Sequence, residues 1–551
     1  MSTRHRPQRQ HHDVGLAELE AIVERAKTAP LLAEDSVTLM VTFQTFAFLQ
    51  QELKAKGASI ERLRQIVFGS KTEKTSAVLG KPSAQGDVGA SEEKPAEGAA
   101  GAERTKKPGH GRNGAAAYTG AKRVKVPHPA LVAGQHCAEC LKGKVYPQAE
   151  PAVLVRITGM APLGATVYEC DRLRCNLCGE VFTAPAPEGV GDAKYDETAT
   201  AMTGLFKYGT GVPFNRLEKL QQGMGIPLPA ATQWELVRDG AELLAPAHEE
   251  LVREAAQGEV LYNDDTTMKV LALTAERRAA AAADEETDGR TGVFTSGIVS
   301  TREGRKIALF ITGAQHAGEN IADVLARRAA DLPTPIQMCD ALSRNTSGDF
   351  KTLVANCIAH SRRKYVEVAA EFPEECRHVL ETLGAVYAND ALARERGLSA
   401  EERLSFHRAE SGPLMEGLEQ WLRQQLDERK VEPNSGLGEA IAYMRKHWPK
   451  LTLFLQQPGA PLDNNLCERT LKKAILHRKN SLFYRTENGA RVGDVFMSLI
   501  HTAELCGVAP FEYLVALLKH HRDVASAPAA WMPWNYEATL ARLVPQAATQ
   551  G

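Results

Sequence analysis

The chain reads as a multidomain α+β protein, and three observations lead there. Its 551 residues allow about three or four domains. Between 258 and 345, strand-like runs with acidic residues at their ends alternate with helical periodicity. Upstream, two closely spaced cysteine pairs and a polar stretch mark separate modules.

The elements follow in order. Within residues 1–74, Phe46, Leu49, Leu53, Ile60, Leu63 and Val67 occupy a/d heptad positions, with Lys56 breaking the series. A short coiled coil fits, and hence self-association. A plain amphipathic helix fits equally, since the repeat lasts about three heptads and contains Gly57. Residues 75–120, rich in Ala, Gly, Pro, Lys and Glu, read as a flexible linker.

Residues 121–190 hold CAEC and CNLC, with 34 residues between Cys140 and Cys175. Four thiolates from Cys137, Cys140, Cys175 and Cys178 suit tetrahedral structural zinc. Disulfides or unrelated buried thiols are the rival readings, and cytosolic chains seldom keep disulfides. Cys170 is near enough to substitute as a ligand, at a poorer spacing.

Residues 191–255 contain a candidate helix-turn-helix: one helix from 214, a Gly- and Pro-containing turn at 223–229, and a second helix from about Ala230. Such a pair can lay its second helix in a major groove. Only Arg238 is basic in that helix's first turns, so a helical hairpin packed on the core fits as well.

Residues 256–485 form the core segment. GEVLYNDDTTMKVL (258–271) is a strand-like run interrupted by Asp264 and Asp265. GVFTSGIVS (292–300) and RKIALFIT (305–312) form a hairpin turning at Glu303-Gly304, and a helix-like segment spans 318–332. Ile336 to Cys339 is a buried strand ending at Asp340. A helical insertion occupies about 376–455, after a helix at 357–372 with a basic face. Residues 486–520 give two more helices, and 521–551 read as a loosely ordered tail.

PLDNNLCERTLKKAILHRKN (461–480) is the most informative stretch. It places Glu468 in the first turn of a helix and follows it with Arg469, Lys472, Lys473, Arg478 and Lys479. A carboxylate able to hold a divalent cation, beside cations able to hold a polyanion, suits chemistry on nucleic-acid phosphates. The plainer reading is a capping box, with Asn465 as N-cap and Glu468 three residues on. Strand ends and a packed helix can bring Asp264, Asp340 and Glu468 together.

These motifs, in this order, resemble the large transposase of the insertion-sequence family numbered sixty-six. The resemblance runs from about VFGSKTEK (67–74) to about Leu518. NDDT (263–266) matches the first aspartate motif, Asp340 the second, and DNNLCER (463–469) the third in full. The resemblance implies a ribonuclease-H-like core with an acidic triad of Asp264, Asp340 and Glu468, and a zinc-finger-like module at the cysteines. RKNSLFYRTENGA (478–490) matches the family's closing motif, which implies support for the site. Three departures stand out. Asp265 replaces the usual glutamate, leaving open which of Asp264 and Asp265 faces the site. ALSRN (341–345) replaces an aromatic-containing stretch, and 276–290 is an expanded loop.

Carboxylates are hard ligands suited to magnesium or manganese. Two such ions about 3.5–4 Å apart can activate a water or 3′-hydroxyl for in-line displacement at phosphorus. Together with this chemistry, the resemblance implies DNA transposition, by cleavage and strand transfer at element ends. The alternatives are an end-binding protein that no longer cuts, or a ribonuclease-H-like nuclease. Double-stranded DNA, a second copy of the chain and accessory proteins of the same element are the implied partners.

The charge balance neither supports nor opposes this. There are 66 basic and 68 acidic residues, a net of −2, so any DNA surface must be local. Arg362, Arg363 and Lys364 join the 469–479 run as candidate phosphate contacts; a solvated face is the alternative for each cluster. No run approaches the roughly 20 apolar residues of a membrane span, and no apolar signal core opens the chain. A soluble cytoplasmic protein, on the nucleoid when bound to DNA, is expected.

Overall fold

The computed structural model describes residues 193–275, 292–346 and 350–543, with short stretches within 21–42, 132–146, 160–174 and 181–189. The heptad positions, the 75–120 linker, the 276–290 loop and Cys137, Cys140, Cys175 and Cys178 lie outside the described residues. Two compact units emerge. One takes the described residues of 1–83 with 361–391 and 413–443; the other takes those of 84–360, 392–412 and 444–551.

In the second unit, strands β1 (Arg172–Arg174) and β2 (Val181–Thr183) pair antiparallel and flank the second cysteine pair in sequence. Helices α1 (Glu197–Gly204), α2 (Phe214–Gly223) and α3 (Ala230–Ala256) follow. α2 and α3 fall where the helix-turn-helix is expected. Val237, Ala241, Leu244, Ala247 and Leu251 on α3 are fully buried at helical spacing, so α3 is a core helix.

The mixed sheet comes next: β3 (Val260–Thr267), β4 (Phe294–Arg302), β5 (Arg305–Gly313), β6 (Ile336–Cys339) and β7 (Leu353–Asn356), in the order β5-β4-β3-β6-β7. β3, β4 and β5 are antiparallel; β6 runs parallel to β3, and β7 to β6. The β4–β5 hairpin turns on Glu303 (φ 49°) and Gly304 (φ 80°). Two consecutive positive φ values match the right-handed twist of the strands. β3 does not stop at its acidic pair, as the sequence suggests, but continues to Thr267 because β4 pairs with it along its whole length.

Helix α4 (Ala317–Leu325) is shorter than the 318–332 expected. The chain turns because the Arg328 guanidinium donates back to the carbonyls of Ala256, Gly258 and Pro333, at 2.7, 2.7 and 2.8 Å. α5 (Ile358–Val368), α6 (Pro373–Glu395), α7 (Ala400–Glu410), α8 (Gly412–Asp427) and α9 (Gly436–Leu451) then account for the helical stretch ahead of the DNN motif.

α10 (Asn465–Ser481), α11 (Glu487–Leu505) and α12 (Pro510–Lys519) complete the core. α11 supplies Val495, Phe496, Leu499 and Ile500 to it. It also covers the outer edge of β5. Asp494, Ser498 and Thr502, spaced by one turn, accept the backbone N–H groups of Thr312, Phe310 and Ala308 at 2.8, 3.0 and 3.0 Å. The tail expectation is overturned as far as 543. α13 (His521–Ser526), a 3-10 turn at Pro528–Trp531 and α14 (Tyr536–Leu543) pack by burying Val524, Trp531, Met532 and Tyr536.

Candidate active site

Strand alternation assigns the two acidic residues of β3 to opposite faces. Asp265 pairs with Ser296 across the sheet. Its carboxylate accepts from the Ser296 hydroxyl (2.7 Å) and meets His316 Nδ1 (2.9 Å), and it is 2% exposed. Asn320 on α4 donates to the same serine hydroxyl at 2.8 Å. Asp265 is thus fully engaged on the α4 face.

Asp264 faces the other way, opposite Gly297. A Cβ on Gly297 would lie 3.0 Å from Leu471 and 3.5 Å from Cys467, both on α10. The missing side chain therefore lets α10 settle on the sheet, and Cys467 Sγ reaches the Gly297 carbonyl at 3.2 Å. This close approach brings Glu468, next along α10, towards Asp264. Asp340 arrives by register. Tyr262 pairs with Met338 in the parallel ladder, and two residues further on Asp264 and Asp340 fall side by side. Asn345 joins them, with its Nδ2 2.5 Å from Asp340 Oδ1 and 3.4 Å from Asp264 Oδ1.

The electrostatics follow from this convergence. Burial pushes the Asp264 carboxyl up to about 6; the charges of Asp340, Asp265 and Glu468 push the same way, against one backbone hydrogen bond from Asp265. Unpaired acceptors crowd the site. Glu468 Oε1 and the amide oxygens of Asn345, Asn356 and Asn464 are buried without a hydrogen-bond partner among the described residues. Each amide touches the acidic cluster or its strand: Asn356 donates to the Asp340 carbonyl (3.3 Å) and Asn464 to that of Asn263 (3.0 Å). Converging carboxylates with orphaned oxygen acceptors fit a hard divalent cation.

The transposase IS66 family profile matches residues 193–492. The chain belongs to that family. Three chains of Sinorhizobium fredii (strain NBRC 101917 / NGR234), each described only as an uncharacterized protein, are similar. The one called y4jD is 29% identical over 388 residues, 67% of this chain and 71% of its own length. y4hP is 26% identical over 400 residues, 69% of each. y4qI is 27% identical over 361 residues, 62% of each.

For this IS66-family chain, the DNN motif does more than start a helix. The N-cap is Asn464, not Asn465, and no capping box forms there. Asn464 turns its amide inward to the β3 backbone, so its side chain is unavailable as a cap. The Asp463 carboxylate instead accepts from the backbone N–H of Asn465 (3.1 Å) and from its side-chain amide (2.7 Å). Glu468, freed from a capping role, points its Oε1 towards His360 Nδ1 at 3.7 Å.

The basic residues divide. Arg469, Lys472 and Lys479 are exposed on α10. Lys473 pairs with Glu504 at 3.1 Å. Arg478 donates to the hydroxyls of Thr266 (2.9 Å) and Thr267 (2.7 Å) and to the Thr267 carbonyl, tying α10 to the end of β3. Arg362 is half-buried and Arg363 exposed on α5, and Lys364 sits over the Tyr443 ring at 4.5 Å. Sequence reasoning missed Asn345, Asn356, Cys357 and His360. The three-residue spacing of Cys357 and His360 was the available signal, hidden inside a segment read only as a basic helix. Among the described residues, no helix is long and apolar enough to cross a membrane.

Proposed function

We propose that this chain is a transposase that cleaves and joins DNA at the ends of an insertion sequence, with Asp264, Asp340 and Glu468 holding magnesium or manganese. One observation supports the reading: burial, and after it the charges of Asp340, Asp265 and Glu468, hold the Asp264 carboxyl up to about 6, so carboxylates distant in sequence act on one another here. Such convergence is costly for stability and useful for binding a cation. When bound, divalent ions would polarise the phosphate and activate a water or 3′-hydroxyl.

The chain's own residues supply the geometry. Asn345 holds Asp340 beside Asp264, Asn464 pins the start of α10, and Gly297 admits the helix. The exposed Arg469, Lys472 and Lys479, on the helix that carries Glu468, support contact with phosphates. Three antiparallel strands followed by two parallel ones, with Asp264 on β3, Asp340 just past the end of β6 and Glu468 on α10, support a ribonuclease-H-like core. Zinc at Cys137, Cys140, Cys175 and Cys178, self-association through the N-terminal heptads, accessory proteins and a cytoplasmic location belong to the same proposal.

Labelled DNA carrying the element's ends, incubated with and without magnesium, tests it. The wild type cuts only with the metal; Glu468→Gln does not cut, yet binds the ends within about twofold, because one side chain of an extended contact is altered. Cutting by Glu468→Gln overturns the site assignment. Binding without cutting by the wild type identifies an end-binding protein instead.

A further inference from the structure

A second cluster borders the carboxylates. Cys357 lies between β7 and α5, His360 follows three residues later, and Glu468 faces them from α10; their ligand atoms all fall within 4.8 Å of one another. His360 Nδ1 and Glu468 Oε1 stand 3.7 Å apart, too far for a hydrogen bond. Both atoms are buried and neither has a hydrogen-bond partner among the described residues. That separation is natural for two ligands of one ion. With bonds of about 2.0–2.3 Å, tetrahedral ligands sit roughly 3.5 Å apart.

The third donor lies beside them. Cys357 is 1% exposed; burial pushes its thiol up to about 12, against backbone hydrogen bonds from Asn464 and His360. Its sulfur accepts the backbone N–H of Asn464 at 3.2 Å, and a bound cation would supply the positive charge that a thiolate there lacks. The side chains of His360 and Glu468 remain 27% and 24% exposed, which leaves an entry from solvent. An imidazole nitrogen, a sulfur and a carboxylate oxygen make a softer set than Asp264 and Asp340 offer, and such sets favour zinc over magnesium.

We propose that Cys357, His360 and Glu468 bind a zinc ion with a fourth position open to solvent. Binding releases the Cys357 thiol proton to water. The site shares Glu468 with the proposed magnesium site and otherwise does not rest on the cleavage reading. Zinc and magnesium then compete for one carboxylate, and zinc at this site inhibits cleavage.

Cobalt(II) is the probe. The full chain is titrated with cobalt, bound equivalents are measured by equilibrium dialysis, and thiolate–cobalt absorption is followed. Any contribution from the four N-terminal cysteines is common to every variant and cancels. His360→Ala and Cys357→Ser each bind one equivalent fewer than the wild type, and Asp494→Asn, on α11 away from both sites, binds as many as the wild type. Full retention by His360→Ala overturns the proposal. His360 is partly exposed, so this variant decides even where Cys357→Ser fails to fold; circular dichroism melts identify that case. Loss of this site leaves the cleavage reading standing, whereas cutting by Glu468→Gln would sink that reading and leave the cobalt result untouched.

Discussion

Asp264 and Asp265 are neighbours in sequence with opposite surroundings. Asp265 has a hydroxyl and an imidazole for its oxygens. Asp264 has one backbone amide, a long contact to Asn345 and three like charges. Asp265's partners suit a carboxylate that holds the fold together, while the surroundings of Asp264 are those the proposed metal site calls for.

The sharpest way to break this contrast is substitution of each partner in turn. Asp264→Asn removes metal-dependent cleavage by roughly a hundredfold or more, above the 10–100-fold of outer partners. Asp265→Asn keeps cleavage within about tenfold but loses about 1–3 kcal/mol of stability, the cost of weakened buried hydrogen bonds. Cleavage assays with urea melts separate the two, and a reversed pattern would reverse the assignment. Next comes Asn345→Ala. It frees Asp340 from Asp264 and lowers cleavage by about 10–100-fold, with magnesium affinity by calorimetry falling in parallel. Unchanged affinity would make Asn345 a purely structural link.

Gly297→Val has a smaller effect. Its side chain meets Leu471 and lifts α10, costing about 1–3 kcal/mol and reducing cleavage more than DNA binding. Equal losses in both assays would mean that the helix position does not matter to Glu468. The least effect on cleavage belongs to Asp494→Asn, far from the site on α11. Burial raises the Asp494 carboxyl from 3.8 to about 8, against two hydrogen bonds from Thr312. The folded state therefore holds this proton more tightly than the unfolded chain does. Its contribution to stability is complete below about pH 4 and declines as pH rises towards about 8, by at most about 1.4 kcal/mol per unit. The Asn variant lacks that decline, so it gains on the wild type between pH 5 and 8. Parallel melting curves across that range would refute the shift.

Much of the frame was legible from local pattern. The hairpin at Glu303-Gly304, the strand from Ile336 to Cys339 and the helix pair at 214–256 lie where turn chemistry and periodicity put them. β7 was missed because four residues, LVAN, carry too little alternation to register. The packing of 521–543 was missed because Trp531, Met532 and Tyr536 are spread through an Ala- and Pro-containing stretch without a period. The carboxylates could be named from their motifs, and their neighbours could not. Asn345, His360 and Gly297 act through contacts made across 81, 108 and 174 positions of chain to Asp264, Glu468 and Leu471. No spacing rule reaches that far.

The ladder of Asp494, Ser498 and Thr502 along β5 has a bearing on how copies of this protein can meet. A bare outermost strand invites the next molecule to zip on and seed fibres. Here alternate amides of that strand are already occupied by a helix from the same chain. Strand addition along this border is thereby blocked, and a second copy that meets the sheet at β5 has to do so through side chains.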